Sequence, residues 1–240
     1  MKRLKKSILV GVSIFAGLAI LASVLFYVRF QKATKAMTPA ETQIVNDTVF
    51  CVRDKFVNAF IFKGRNSYLM IDAGFSKKNF KKELKKIGLD PNQITSIFLT
   101  HTDGDHIGAM SLFKEPAVYM HREEEQMING TNGKMKLVRF KWKYGAYKLL
   151  ENNDSLIIDG LRIRILHTPG HTPGSSCFIV GNDYLASGDN LTINKGKVEQ
   201  FVEMFNMDTP RQLESLKTLP EPASFKYILT GHHGIVKMGD

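Results

Sequence analysis

The sequence predicts a mixed α/β protein in which sheets are layered with helices outside, preceded by one transmembrane helix. Three observations predict it: an uncharged apolar run near the amino terminus, a long series of short β-rich runs bounded by turn residues, and helical patterns that interrupt that series in two places. The 240 residues and the ordinary balance of 43% hydrophobic to 23% charged residues suit one catalytic-sized domain. They exclude a disordered, collagenous or disulfide-scaffold chain.

The first element runs from Ile8 to Val28 without a charge. At about 1.5 Å per residue a helix of that length spans a hydrocarbon core of roughly 30 Å. A cleaved signal peptide is the rival reading, because Lys2, Arg3, Lys5 and Lys6 form a positive leader. The apolar run is longer than a signal core, no clean A-x-A site follows it, and Arg29, Lys32 and Lys35 come next, so a retained anchor is expected. Four basic residues before the span and three after it place the amino terminus in the cytoplasm, giving a single-pass membrane protein with an extracytoplasmic catalytic domain. The domain boundaries follow: residues 1–35 are leader and anchor, with membrane lipid met through residues 8–28, and residues 36–240 form the folded domain.

The soluble part reads as strands at Ile44 to Val52, Phe56 to Phe62 and Tyr68 to Ile71, then a lysine-rich helix from Lys77 that ends near Gly88. Ile94 to Leu99 is an apolar run that stops at a polar loop. Further strands are expected at Val118 to Met120, Leu156 to Ile158, Leu161 to Leu166, Cys177 to Val180, Tyr184 to Ala186 and Tyr227 to Leu229, with a helix from Thr209 to Leu219. Between them, Lys134 to Lys148 interleaves basic residues with Phe140, Trp142, Tyr144 and Tyr147. That stretch is either a surface for anionic lipid or substrate, or a twisted hairpin with its aromatics packed inward.

The formal charge of +10 is concentrated in the anchor: residues 1–35 hold seven of the 33 Lys and Arg and no acid, leaving 26 against 23 elsewhere. Nucleic acid is therefore not an expected partner, and no recognisable nucleic-acid motif is present. Two cysteines, Cys51 and Cys177, are too few for a cysteine zinc framework, so a metal site must be built from His and carboxylates.

Six of the seven His fall in three short polar loops, each beside an apolar strand: His101 and His106, His167 and His171, His232 and His233. A lone His beside a strand is usually structural, but three such loops, the first with two Asp, together with Asp189 in SGDN, supply the ligands of a divalent metal pair. In THTDGDH, an extended backbone would put His101 and Asp103 on one side, and a turn at Gly104 would bring Asp105 and His106 to a second ion. An EF-hand loop would need further oxygen ligands and a terminal Glu, whereas IGAMSLF follows here.

In order, VNAFIF, MIDAG, LTHTDGDHIGA, HTPGHTPGS, SGDN and LTGHHG resemble the metallo-β-lactamase fold superfamily over nearly all of residues 44–238. The resemblance implies a four-layer αββα sandwich with a metal site at one edge of the paired sheets. It also implies that His101, Asp103 and His171 hold one ion, that Asp105, His106 and His232 hold another, and that Asp189 bridges them. Asp72 would support the site from behind, while His121 and His167 match no ligand position. Register selects His232 over His233. The superfamily's common pattern has His where this chain has Asp103. A carboxylate there hardens the donor set, so two divalent ions are expected, zinc first, with manganese or iron as alternatives.

The function implied is a metal-dependent hydrolase using a bridging hydroxide, with Asp105 also orienting the nucleophile. A phosphodiester, lactone, thioester or β-lactam would serve as substrate, either a small molecule or one associated with the envelope; the Asp103 variant and the basic stretch point toward phosphodiesters. The alternative is a non-catalytic, membrane-tethered metal-binding or regulatory module on the same fold.

Overall fold

The structure, a computed structural model, describes residues 2–134 and 141–238. It comprises two compact units, Met1–Met37 and Thr38–Asp240. The first is a helix, α1 (Lys2–Lys35), whose segment Gly11–Lys35 is long and apolar enough to cross a membrane. Its side chains Phe15, Leu18, Leu21 and Phe26 stand exposed.

The second unit is built on two large sheets. The first contains β1 (Gln43–Asn46), β2 (Val49–Asp54), β3 (Val57–Lys63), β4 (Tyr68–Ile71), β5 (Ile94–Phe98), β6 (Ala117–His121) and β7 (Tyr147–Leu150), in that spatial order. Strands β1 to β4 are antiparallel neighbours and β4 to β7 parallel ones. The second sheet contains β8 (Ser155–Ile158), β9 (Leu161–His167), β10 (Ser176–Val180) and β11 (Tyr184–Gly188). A separate hairpin, β12 (Leu191–Asn194) with β13 (Lys197–Gln200), precedes the last two strands of that sheet, β14 (Tyr227–Thr230) and β15 (Gly234–Lys237). Its spatial order is β15-β14-β11-β10-β9-β8, with β11 and β14 parallel. Helices α2 (Lys77–Lys86), α3 (Gly104–Ile107), α4 (Glu125–Ile128) and α5 (Thr209–Leu216) complete the fold.

Three apolar layers explain why these elements stack. Between the sheets, Phe60, Phe62, Leu69 and Phe98 of the first meet Ile163, Ile165, Phe178 and Leu229 of the second. The rings of Phe98 and Phe178 meet edge to face at 5.3 Å, worth about 0.5–1.5 kcal/mol beyond their buried area. On the outer face of the first sheet, Phe80 and Leu84 of α2 pack over Ile61, Met70 and Ile97. On the outer face of the second, Leu216 of α5 packs with Cys177, Leu185 and Ile228. Helix, sheet, sheet and helix follow one another, the αββα sandwich expected. The period-two burial of β9, where Ile163 and Ile165 point inward and Arg162 and Arg164 outward, is the sequence pattern made visible.

The structure departs from the expected elements in several places. The run from Ile44 to Val52 is two strands, because Asn46 Oδ1 accepts hydrogen bonds from the backbone N–H groups of Thr48 and Val49 and closes a turn. Helix α5 stops at Leu216, three residues short of Leu219. β7 begins at the end of the basic, aromatic stretch and pairs parallel to β6, so Tyr147 and Lys148 belong to a sheet edge, not to a hairpin. The aromatics do pack inward: Trp142 meets Tyr144 and Tyr147 edge to face at 5.1 and 5.8 Å and joins the outer core of the first sheet. The rest of that stretch, residues 135–140 with Phe140, lies outside the described residues. Cys51 and Cys177 are free and buried in different layers, and burial pushes both thiols up to about 12.

Candidate metal centre

Every polar loop singled out in the sequence leaves the carboxyl end of a strand at one edge of the sandwich. Asp72 follows β4, His101 follows β5, His171 follows β9, Asp189 follows β11 directly and His232 follows β14. Parallel neighbours deliver their loops to the same edge, so residues far apart in sequence meet there. Gly188 makes one of these meetings fit: it has φ +52, and a Cβ on it would lie 2.3 Å from Thr100 Oγ1. Gly104 is different from its expected role. Its φ is not positive and a Cβ there meets nothing, because the first turn of α3 carries Asp105 and His106 round.

Three groups of donors converge, each within 4.8 Å: His101, Asp103 and His171; His101, His106 and Asp189; Asp105, His106 and His232. Asp189 lies among all four imidazoles. Its Oδ1 is 3.2 Å from His232 Nε2 and 3.3 Å from His106 Nε2, while its Oδ2 is 3.4 Å from His171 Nε2 and 3.9 Å from His101 Nε2. Asp103 Oδ2 is 3.2 Å from His171 Nε2 and 3.5 Å from His101 Nε2, and Asp105 Oδ2 is 3.3 Å from His232 Nε2. All seven residues chosen from sequence thus meet in one place. His232 turns into it, whereas His233 Nδ1 is buried without a partner and its ring lies against Phe201. His121 and His167 stack on each other at 3.6 Å, and His167 Nε2 is 2.9 Å from Pro173 O, a structural pair.

Hydrogen bonds behind the rings fix which nitrogen faces inward. His232 Nδ1–H donates to Phe56 O at 2.7 Å, His171 Nδ1–H to Asn206 Oδ1 at 3.2 Å and His106 Nδ1–H to Asp72 Oδ2 at 2.9 Å. Thr100 Oγ1–H donates to Asp72 Oδ2 at 2.8 Å, so Thr100 Oγ1 accepts from His101 Nδ1–H at 3.0 Å. Four imidazoles therefore turn Nε2 toward the centre. Phe201, delivered by the β12–β13 hairpin, shields His171 and His232 from water with ring distances of 5.6 Å to each.

The electrostatics of the protein-only site are those of a cation receptor. Burial would raise the Asp189 carboxyl, yet His232 and His106 hold it well below the usual carboxylate range. Burial likewise opposes ionisation of Asp103 and Asp105, which Lys134 and His106, respectively, overcome. Burial disfavours the charged imidazoles, but Asp189 carries His232 up to about 10 and His106 well above its ordinary value. Burial and then Lys134 push His171 down to about 4. Nε2 of His101, Nε2 of His106 and Oδ1 of Asp189 are buried without a hydrogen-bond partner, a costly arrangement that cations repay. Imidazole nitrogens and carboxylate oxygens at this spacing fit divalent ions.

Four contributors carried no recognisable signal in the sequence. Lys134 Nζ contacts Asp103 Oδ2 and lies 2.7 Å from His171 Nε2, although its stretch read as a surface for anionic lipid or substrate or as a hairpin, with nothing to single out this lysine. Asn206, the carbonyl of Phe56 and Glu124 are equally unmarked; nothing in HREEE separates Glu124 from Glu123 and Glu125.

The profile of the Metallo-beta-lactamase superfamily matches residues 52–232, and the chain belongs to that superfamily. The fold implies divalent metal ions, often zinc, and the clustered His and Asp residues offer donors for them. Among curated relatives, the "Probable metallo-hydrolase YqgX" of Bacillus subtilis is 32% identical over 143 residues, 56% of this chain and 65% of that protein. An "N-acyl homoserine lactonase" of a Bacillus species is 27% identical over 146 residues, 58% of this chain and 54% of that protein. The matches thus span under two thirds of either relative. A solved structure, the class B3 di-zinc metallo-beta-lactamase LRA-12 from an Alaskan soil metagenome, superposes with a TM-score of 0.61 over 81% of this chain and 79% of that one, at 17% identity.

Proposed function

We propose that the chain is a binuclear metal hydrolase that cleaves a carboxylic ester bond, of the lactone class, in an amphiphilic substrate. The observation that carries the binuclear reading is the Asp189 carboxylate, whose two oxygens face different pairs of Nε2 atoms. On this reading His101, Asp103 and His171 hold the first ion, Asp105, His106 and His232 the second, and Asp189 spans both. Zinc is the expected metal, with manganese or iron able to use the harder Asp103 donor. The ions, when bound, supply a hydroxide at neutral pH and polarise the scissile carbonyl.

The chain's own residues do the rest. Asp105 orients the nucleophile, the Nδ1 hydrogen bonds hold the imidazoles in register, and Phe201 and Phe56 exclude water from one side of the site. Charge supports a neutral scissile group. Three aspartates and a hydroxide would cancel two divalent ions, and Lys134 is already paired with Asp103, so little positive charge is left to draw in a phosphodiester anion, whereas a neutral ester needs none. The lactonase named among the relatives supports the same class.

The apolar helix Gly11–Lys35 supports a retained single-pass anchor with the hydrolase outside the cytoplasm, near amphiphilic substrates. Turnover of a panel of lactones, thioesters, β-lactams and phosphodiesters tests the proposal. Lactone turnover abolished by Asp105→Asn and by His106→Ala is expected. Turnover of phosphodiesters alone would overturn the ester reading, and no turnover in a fully metal-loaded chain would favour a non-catalytic module.

A further inference from the structure

Glu124 sits in the turn after β6 and is 0% exposed, while its neighbours Arg122 and Glu123 face solvent. Its carboxylate accepts four hydrogen bonds. Oε1 takes the backbone N–H of Thr102 at 2.8 Å and the Thr102 hydroxyl at 2.7 Å; Oε2 takes the Thr172 hydroxyl at 2.6 Å and the backbone N–H of Gly174 at 3.1 Å. Gly174 cannot carry a side chain there, since a Cβ would lie 2.1 Å from the backbone nitrogen of Glu124. A buried carboxylate so fully occupied is a fixed point in the fold.

What it fixes is informative. Thr102 lies between His101 and Asp103, and Thr172 follows His171, so both segments carry donors of the first cluster and come from different sheets. None of its four bonds goes to Asp105, to His106 or to the His232 loop; on the first of these segments they stop at Thr102.

We infer that Glu124 is a positioning residue that braces the first metal position, and that position alone, by tying the His101–Asp103 segment to the His171 loop. The inference rests on the binuclear reading above. Partners that orient ligands from behind are typically worth roughly 10- to 100-fold in metal affinity.

The test measures zinc affinity by chelator competition in the full chain, with one position disabled at a time. In a His232→Ala background, which leaves the first position, Glu124→Ala should weaken binding roughly 10- to 100-fold. In a His171→Ala background, which leaves the second, the same substitution should change affinity by no more than about twofold. Thr172→Val, which removes one hydroxyl and keeps the shape, should act in the same direction to a smaller extent, and Glu124→Gln should recover part of the loss. Equal weakening in both backgrounds would mean general loosening of the fold and would overturn the inference. So would unchanged affinity of the first position in both Glu124→Ala and Thr172→Val. A wild-type chain that takes fewer than two ions would instead overturn the binuclear reading, and the brace with it.

Discussion

Replacing Asp72 by Asn tests how the imidazoles are aimed. Asp72 has φ +60, a left-handed conformation that Asn also tolerates, so the backbone should hold. In the wild type, Oδ1 accepts the N–H of Thr100 at 2.8 Å, while Oδ2 accepts from both Thr100 Oγ1 and His106 Nδ1. With Asn, the amide oxygen can keep the Thr100 N–H, but the amide NH2 then faces two groups that were donors. Thr100 must turn its hydroxyl toward His101 Nδ1, and both His101 and His106 are driven to carry their proton on Nε2, where the metal would bind. A buried hydrogen bond to a charged group contributes about 1.5–3 kcal/mol. At about 1.4 kcal/mol per tenfold, zinc affinity should fall roughly 10- to 150-fold. Chelator competition measures the affinity, and nitrogen-15 shifts of the imidazoles report the tautomers. Affinity within about twofold of wild type, or rings that keep Nδ1–H, would refute the reasoning.

Other predictions follow from the same geometry. Removing the Lys134 ammonium, by Lys134→Met, takes a cation away from Asp103 and His171 and should tighten zinc at the first position by about tenfold; weaker binding in chelator competition would refute this. In the metal-free protein Asp103, Asp105 and Asp189 are held below their ordinary values, so their stabilisation is present above about pH 4 and is lost as pH falls further. His232 is raised to about 10, so its contribution is complete below about pH 6.5 and disappears as pH rises toward 10; zinc replaces that proton, and thermal melts should show the alkaline loss only in stripped protein. Gly188→Ala should cost several kcal/mol, on the order of a strained left-handed residue plus an overpacked contact with Thr100, measured by denaturant unfolding. Cys51 and Cys177 should resist thiol reagents until the chain is unfolded, because both are buried with raised pKa values.

The legible part of this protein is the part written in local chemistry. Short apolar, β-rich runs placed β3, β4, β5, β9 and β10 to within a residue or two at their ends, because strands covered on both faces must be apolar nearly throughout, and β9 alone alternates. The candidate donors from His101 to His232 were legible because three His loops recur beside strands and, taken in order, match the motifs of the superfamily; each loop alone is a commonplace polar turn. Contributions made through long-range contacts were silent: Glu124 reads as one acid among three, Lys134 as one of many lysines, and β7 as part of a basic stretch. β12 and β13 are short and lie outside both large sheets, so neither periodicity nor burial marked them.

Elemental analysis of the purified chain, paired with activity across added metal, tests the two-ion claim most directly. Two divalent ions per wild-type chain are expected, with ester turnover rising as the second position fills and with Asp189→Ala unable to retain both. A chain that carries no stoichiometric transition metal and gains no stability when one is supplied would contradict it.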